Sequence, residues 1–277
     1  GHLTPSTMVG PRDTYTHGHH ESVLRSHTHR TAENSAAYLL PRLEPGMRLV
    51  DIGCGPGTIT LDLAQRVAPG SVLGLDLEAD VLDGARARAT DRSVTNVEFR
   101  VGDVYELDLP DGGADVVHAH QVLQHLSDPV AALREMARVV RPGGTLAVRD
   151  ADYAAMAWAP ADARLDRWLA LYRTVCHGND AEPDAGRHLL RWAAEAGLDH
   201  PVPSASVWCF ATAEDRSWWG PMWADRSRVS DFAAQALDRE LTTPDELEEI
   251  AAGWLAWADD PTSWFTVVHG ELLCTGA

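Results

Sequence analysis

Lysine is absent from this chain of 277 residues, and all 23 of its basic residues are arginine. No side-chain amine is therefore available for the Schiff base of a pyridoxal enzyme or for the phosphate-gripping lysine of a P-loop. Cysteine is scarce as well. Cys54, Cys176, Cys209 and Cys274 lie far apart, without Cys-x-x-Cys spacing, so neither a disulfide framework nor a thiolate metal site is indicated, and a reducing, cytoplasmic setting is expected. No stretch approaches the roughly eighteen apolar residues of a membrane span, and no charged-then-apolar leader opens the sequence. Positive charge is short: 23 arginines face 41 acids, for a net charge of -18. Such a surface repels a phosphate backbone and an anionic bilayer, which argues against nucleic acid and membranes as partners. Tryptophan is missing from the first 157 residues, although ten follow from Trp158 onward, so the two halves bury different kinds of surface and a boundary is expected near Asp150.

What is present is globular. Hydrophobic residues make up 45% and charged residues 23%, and the length suits one elaborated α/β core. The front half alternates short β-branched runs (48–52, 71–77, 97–101, 114–119 and 145–149) with segments of helical period (58–67, 79–89 and 129–140), which predicts a parallel sheet covered on both faces. The back half has two apolar stripes at helical spacing, Leu165, Trp168, Leu169, Tyr172, Cys176 and then Leu247, Ile250, Ala251, Trp254, Leu255. Thr243-Pro244-Asp245-Glu246 predicts the start of the second helix, with Thr243 as cap, Pro244 at the first position and Glu246 closing a capping box. Two late strands are expected at 204–210 and 264–274, with the helical material of 213–260 between them.

The chemistry concentrates in Leu49-Val50-Asp51-Ile52-Gly53-Cys54-Gly55-Pro56-Gly57-Thr58, where an apolar strand ends in an acid and three alternating glycines lead into a helix. Glycines there let the backbone bend sharply and approach a ligand, at the strand ends where such sheets bind. The Gly-x-Gly-x-Gly spacing departs from the dinucleotide fingerprint Gly-x-Gly-x-x-Gly. Asp76 ends the second strand, where a carboxylate can accept both hydroxyls of a ribose, and Asp103 follows the third, where one can accept from an adenine amine. Three acids at successive strand ends suit an adenosine ligand.

These motifs, with Ala114-Asp115-Val116-Val117-His118-Ala119-His120 and the run from Leu133 to Gly144, resemble those of the class I S-adenosylmethionine-dependent methyltransferases, in particular the branch of ubiquinone/menaquinone-biosynthesis C-methyltransferases. The resemblance covers about residues 45 to 150 and implies an α/β, Rossmann-like seven-stranded sheet of order 3-2-1-4-5-7-6. Strand 7 would be antiparallel, and a helical cap at about 213–260 would be inserted between strands 6 and 7. It implies three parts: an N-terminal lid (1–44), a core binding S-adenosylmethionine (45–150), and the remaining sheet with its substrate cap (151–277). The glycine loop, Asp51 with Gly53, Cys54 and Gly55, would lie against the methionine and ribose portions. Asp76 and Leu77 would hold the ribose, and Gly102, Asp103 and Val104 the adenine.

A sulfonium methyl group is already activated, so transfer needs chiefly an aligned acceptor and the exclusion of water. His120, Gln121 and His125 follow the fourth strand and would face the reactive end of the cofactor. His120 is the candidate general base, and the alternative is that His120 and His125 only line the pocket. Six histidines fall within the first 29 residues. Read as a lid, this segment resembles that of a bacterial and fungal subgroup which includes carbon-methylating enzymes of indole alkaloid pathways. The subgroup resemblance makes Tyr15 and Arg30 cofactor contacts and Tyr15 a second catalytic candidate, with Arg30 pairing the methionine carboxylate. Trp218, Trp219, Trp223, Trp254 and Trp257 would either wall an acceptor pocket or pack the cap. The expected partner is a small planar, indole-like aromatic, with no catalytic metal; monomer and homodimer both stay open. The competing readings are a nicotinamide-dependent oxidoreductase and a non-enzymatic metal- or ligand-binding module built on the histidines.

Overall fold

The computed structural model describes residues 29–277, so the expectations placed on Tyr15 and on His17, His19, His20 and His27 lie outside the described residues. Eight strands form one sheet: β1 (Arg48–Ile52), β2 (Ser71–Asp76), β3 (Val97–Val101), β4 (Ala114–His120), β5 (Val140–Ala151), β6 (Ala157–Ala159), β7 (Asp199–Phe210) and β8 (Trp264–Thr275). β1 to β5 run parallel in the order 3-2-1-4-5, β8 lies antiparallel to β5, and β7 is antiparallel to β8. The expected order 3-2-1-4-5-7-6 is therefore present as 3-2-1-4-5-8-7. The count is corrected by one. β6 pairs Ala157–Ala159 with Thr266 to Trp264 of β8, on the side β5 leaves when it ends at the His269 pairing. Three residues carry no periodicity, which is why the sequence did not announce this strand.

The helices follow from local chemistry. α1 (Ala32–Ser35) is closed by a capping box between Thr31 and Asn34. α2 (Thr58–Val67) and α3 (Ala79–Asp91) cross over between β1, β2 and β3, and α4 (Pro129–Val139) starts on the Asp128 carboxylate, which accepts the Ala131 N–H at 3.0 Å. α5 (Ala163–Gly178) and α6 (Leu189–Glu195) precede β7, and α7 (Ala213–Val229), α8 (Asp231–Asp238) and α9 (Pro244–Asp259) fill the connection from β7 to β8. Thr243 caps α9 by accepting the Glu246 N–H at 3.1 Å. The second half of that box does not form, because the Glu246 carboxylate turns to Arg167 at 3.0 Å and Thr242 at 2.7 Å.

Both sheet faces are covered. Ile52, Val117 and Val148 pack with Leu133 and Met136 of α4, while Leu49, Val116 and Ala147 pack with Leu39, Leu63 and Val67 on the opposite side. A third core belongs to the back half: Trp168 lies 4.7 Å from Trp223 and 4.9 Å from Trp254 in edge-on contacts, and Phe265 closes the cluster. Trp219, Trp223, Trp254 and Trp257 are at most 3% exposed within it, so of the two expectations for them core packing is the one their burial favours. Trp218 alone of the five turns outward, stacked on His29 at 3.8 Å. Truncating Trp168 to Ala should lower unfolding free energy by about 3–5 kcal/mol, the usual cost of a large core cavity, read as a shift in the urea midpoint. A loss below about 1 kcal/mol would show that the cap folds without this cluster.

Candidate active site

Between β1 and α2 the backbone adopts the left-handed region at Gly53 (φ 66°), Gly55 (φ 52°) and Gly57 (φ 84°). Only glycine holds three such positions cheaply, so a turn with side chains at Cys54 and Pro56 alone stands at the carboxyl end of the sheet. Main-chain bonds then lace the strand tips together. Cys54 N–H donates to the Leu75 carbonyl and Gly102 N–H to that of Asp76, both at 3.0 Å. Asp76, fully buried, accepts the Gly55 N–H at 3.0 Å and the Glu78 N–H at 3.1 Å, and burial pushes its carboxyl well above the usual range. Asp103 is half-buried and accepts the Tyr105 N–H at 2.9 Å, beside the buried Val104; Leu77 and Gly102 are half-buried at the same tips.

Asp51 departs from its two companions. One of its oxygens accepts from Thr60 Oγ1 at 2.7 Å and the other from His118 Nδ1 at 2.8 Å. The carboxylate is thus engaged inside the protein, fastening α2 and β4 to β1. It borders the hollow over the glycine turn along with Arg30, Gly53, Cys54, Gly55 and His120.

His120 occupies the end of β4, 5% exposed, and neither ring nitrogen has a hydrogen-bond partner among the described residues. Burial, reinforced by the guanidiniums of Arg30 and Arg149, holds its pKa well below the ordinary value, so the ring is neutral at physiological pH. His125, one short turn on, is pushed down to about 3 by burial and Arg30. Gln121 has a left-handed backbone (φ 53°) without being glycine, a conformation that persists only where surrounding contacts enforce it. Its side-chain oxygen accepts from Arg30 Nη2 at 2.7 Å.

A larger hollow of about 420 Å³ adjoins this point, walled by Trp208, Phe210 and Trp218, with His29, Glu33 and Asp215 among its lining. Arg30 borders both hollows and lies over the Trp208 ring, 5.7 Å from its centroid. Trp208 was not foreseen as a wall, and its indole N–H donates to the Asn34 carbonyl at 2.6 Å.

Strand register gathers further residues that the sequence reading missed. His120 pairs with Arg149, Arg149 with Glu271, and Glu271 with Ser204, so a row of polar side chains crosses four strands on one face. Arg149 Nε meets Glu271 at 3.0 Å and Ser206 donates to the same carboxylate at 2.6 Å. Charges at Arg149-Asp150 and His269-Gly270-Glu271, inside otherwise apolar strands, were the available signal.

A mostly parallel sheet of this order with antiparallel late strands, a glycine-rich turn after β1 and acids at the tips of β2 and β3 defines the class I S-adenosylmethionine-dependent methyltransferases. The chain belongs to the methyltransferase domain family, whose model matches residues 43–197, and S-adenosylmethionine is its methyl donor. An uncharacterized methyltransferase of Schizosaccharomyces pombe is 34% identical, in a match spanning 96% of this chain and 98% of that one. Demethylmenaquinone methyltransferase of Listeria monocytogenes is 36% identical over a shorter stretch, 40% of this chain and 47% of its own length. The YcgJ protein of Bacillus subtilis shares the fold with a TM-score of 0.59 at 20% identity, covering 88% of this chain and 99% of that one. The nicotinamide and metal-module readings give way to the methyltransferase.

Asp150 tests the polar region beside β4. It is fully buried, accepts the Gln124 N–H at 3.0 Å through Oδ1, and its Oδ2 has no partner among the described residues. Burial pushes its pKa up to about 8. The folded state therefore holds a proton that an unfolded carboxyl, titrating near about 3.9, has lost, and stability falls as pH rises between those values, by about 1.4 kcal/mol per unit at most. Asp150→Asn mimics the protonated form. Its melting temperature should decline less than that of the unaltered protein between pH 5.5 and 8.5, and parallel declines would refute the buried neutral acid.

Proposed function

We propose that the chain transfers a methyl group to a small planar aromatic molecule, of indole type, held in the hollow walled by Trp208, Phe210 and Trp218. The observation that carries this reading is the adjacency of that hollow to the glycine turn, with Arg30 bordering both and the buried ring of His120, whose nitrogens have no hydrogen-bond partner among the described residues, beside it. Flat aromatic walls favour a flat guest through stacking, and a volume of about 420 Å³ admits a small metabolite. The net charge of -18 supports a small molecule over nucleic acid.

The residues present fit the donor. Asp76 accepts from Gly55 and Glu78, with the Leu77 N–H also directed at it, and by the resemblance the ribose hydroxyls would meet the same carboxylate. Asp103, Val104, Leu77 and Gly102 stand where the adenine would lie, and the bare backbone of Gly53, Cys54 and Gly55 permits close approach of the methionine portion. Arg30 supplies the cation for the methionine carboxylate. When bound, S-adenosylmethionine supplies a methyl group already activated on a sulfonium. The acceptor atom forms its bond to that carbon as the bond to sulfur breaks, so alignment supplies most of the catalysis. His120, held neutral by its burial and by the guanidiniums of Arg30 and Arg149, offers a ring nitrogen to the proton the acceptor loses, and the same surroundings make it a weak base that passes the proton on. Donor-binding roles for Gln121 and His125 follow from their place at the end of β4.

Asp76→Ala should weaken S-adenosylmethionine binding by about 1.5–3 kcal/mol in calorimetry, and an unchanged dissociation constant would remove Asp76 from the ribose site. With labelled S-adenosylmethionine and a panel of planar aromatics, label should appear on an indole-type compound. Label found only on non-aromatic compounds of an extract would reject the acceptor class. On the labelled compound, His120→Gln should retain donor affinity and lose roughly 100- to 10,000-fold in rate, whereas full activity would leave His120 as wall.

A further inference from the structure

Arg30, Gln121 and His269 form a chain of hydrogen bonds in which the role of every atom is forced. A guanidinium only donates, so the Gln121 atom 2.7 Å from Arg30 Nη2 is the carbonyl oxygen Oε1. The amide nitrogen Nε2 then faces His269, 2.7 Å from its Nε2, and because an amide nitrogen only donates, that ring nitrogen must be a bare acceptor. The proton of the neutral imidazole is left on Nδ1, where the Val267 carbonyl, itself only an acceptor, lies 3.2 Å away. Burial and the guanidiniums of Arg149 and Arg30 hold the His269 pKa well below its ordinary value, consistent with a neutral ring. A flipped amide would set oxygen against a bare nitrogen and amine against a cation, so the chain has one stable polarity.

Gln121 is also fixed by its backbone. Its φ of 53° is enforced by a bond from its own N–H to the Arg149 carbonyl at 2.6 Å, and its side chain is 7% exposed. The guanidinium it holds lies over the Trp208 face and borders the hollow at the glycine turn, the aromatic hollow, and a small space lined by Tyr153, Trp219 and Arg226. Arginine is long and rich in rotamers, and a guanidinium pinned before the ligand arrives loses less entropy on binding.

We propose that Gln121 is a positioning residue: by bridging Arg30 to His269 it fixes the guanidinium at the divide between the two hollows and so sets affinity for the amino-acid end of the donor. This rests on the reading above that Arg30 meets the donor carboxylate.

The test uses two probes, S-adenosylhomocysteine and 5′-methylthioadenosine, which share the nucleoside but differ in the amino-acid end. Calorimetry would compare the unaltered protein with Arg30→Ala and with Gln121→Gly, which deletes the side chain while leaving the left-handed backbone unstrained. Both substitutions should weaken S-adenosylhomocysteine about tenfold or more, the scale of a hydrogen bond to a charged group, and 5′-methylthioadenosine less than about twofold. A selective loss in Arg30→Ala with none in Gln121→Gly would overturn the positioning role alone. Equal losses for both probes in Arg30→Ala would overturn the reading of Arg30 and this inference with it, and equal losses in Gln121→Gly would mark a general disturbance and overturn the inference. Nitrogen NMR of the unaltered protein, assigned against His269→Gln, should show His269 protonated on Nδ1. In Gln121→Glu, where only acceptors face the ring, a proton should appear on Nε2, by transfer or as the second proton of an imidazolium. An Nε2–H form in the unaltered protein, or an Nε2 still bare in Gln121→Glu, would break the chain.

Discussion

The hydrogen bond from the Gly55 N–H to the Asp76 carboxylate joins the turn after β1 to the tip of β2, and the site is arranged around it. It exists because three glycines can hold left-handed backbone in succession, which aims a main-chain donor where side chains would otherwise crowd. The same carboxylate accepts from Glu78, and the carbonyl of the same residue accepts from Gly102, so the tips of β1, β2 and β3 are positioned relative to one another by a single buried residue. Burying a carboxylate is costly unless it is hydrogen-bonded, and the raised pKa of Asp76 registers that cost. A ligand that brings two hydroxyls to it adds bonds to a group still underprovided.

Two guanidiniums stand among the acids and imidazoles of the candidate site. Burial first, and then Arg30 and Arg149, hold His120 and His269 neutral, while burial and Arg30 do so for His125. Neutral imidazoles can accept protons and hydrogen bonds, and they do not repel a sulfonium. With lysine missing from the sequence, this positive field comes from planar, permanently charged guanidiniums, which also lie over aromatic faces such as Trp208.

Legibility in the sequence followed the range of the interactions. β1 and α2 have the expected bounds because alternating apolar residues and a glycine turn are local signals. The late strands were legible with shorter bounds, and of the helices between them only α9 announced itself by a stripe; the rest was expected as undivided helical material and is two further helices, α7 and α8. The internal bonds of Asp51 were not legible: a strand-end acid looks alike whether or not it is held by Thr60 and His118, and the latter partner lies 67 residues away. The tryptophans were similarly ambiguous, since an aromatic stripe at helical spacing suits a pocket and a core equally, and packing against Trp168 and Phe265 decided for the core. His269, Glu271 and Trp208 were unreadable as site residues because only the register of β8 and β7 against β5 brings them there.

β8 enters the sheet between β5 and β7, both of which precede it in the chain. Two of the residues around Arg30 and Arg149, His269 and Glu271, ride on it, and Arg149 finds Glu271 across 122 residues. Until that strand inserts, β5 presents an open edge with a charged guanidinium beside it, and β7 has no neighbour to pair with. Pairing over so long a sequence separation is of the kind that slows folding. The groups beside the glycine turn thus depend on a strand from the far end of the described residues, and the region around Arg149 is complete only where β5, β7 and β8 are paired.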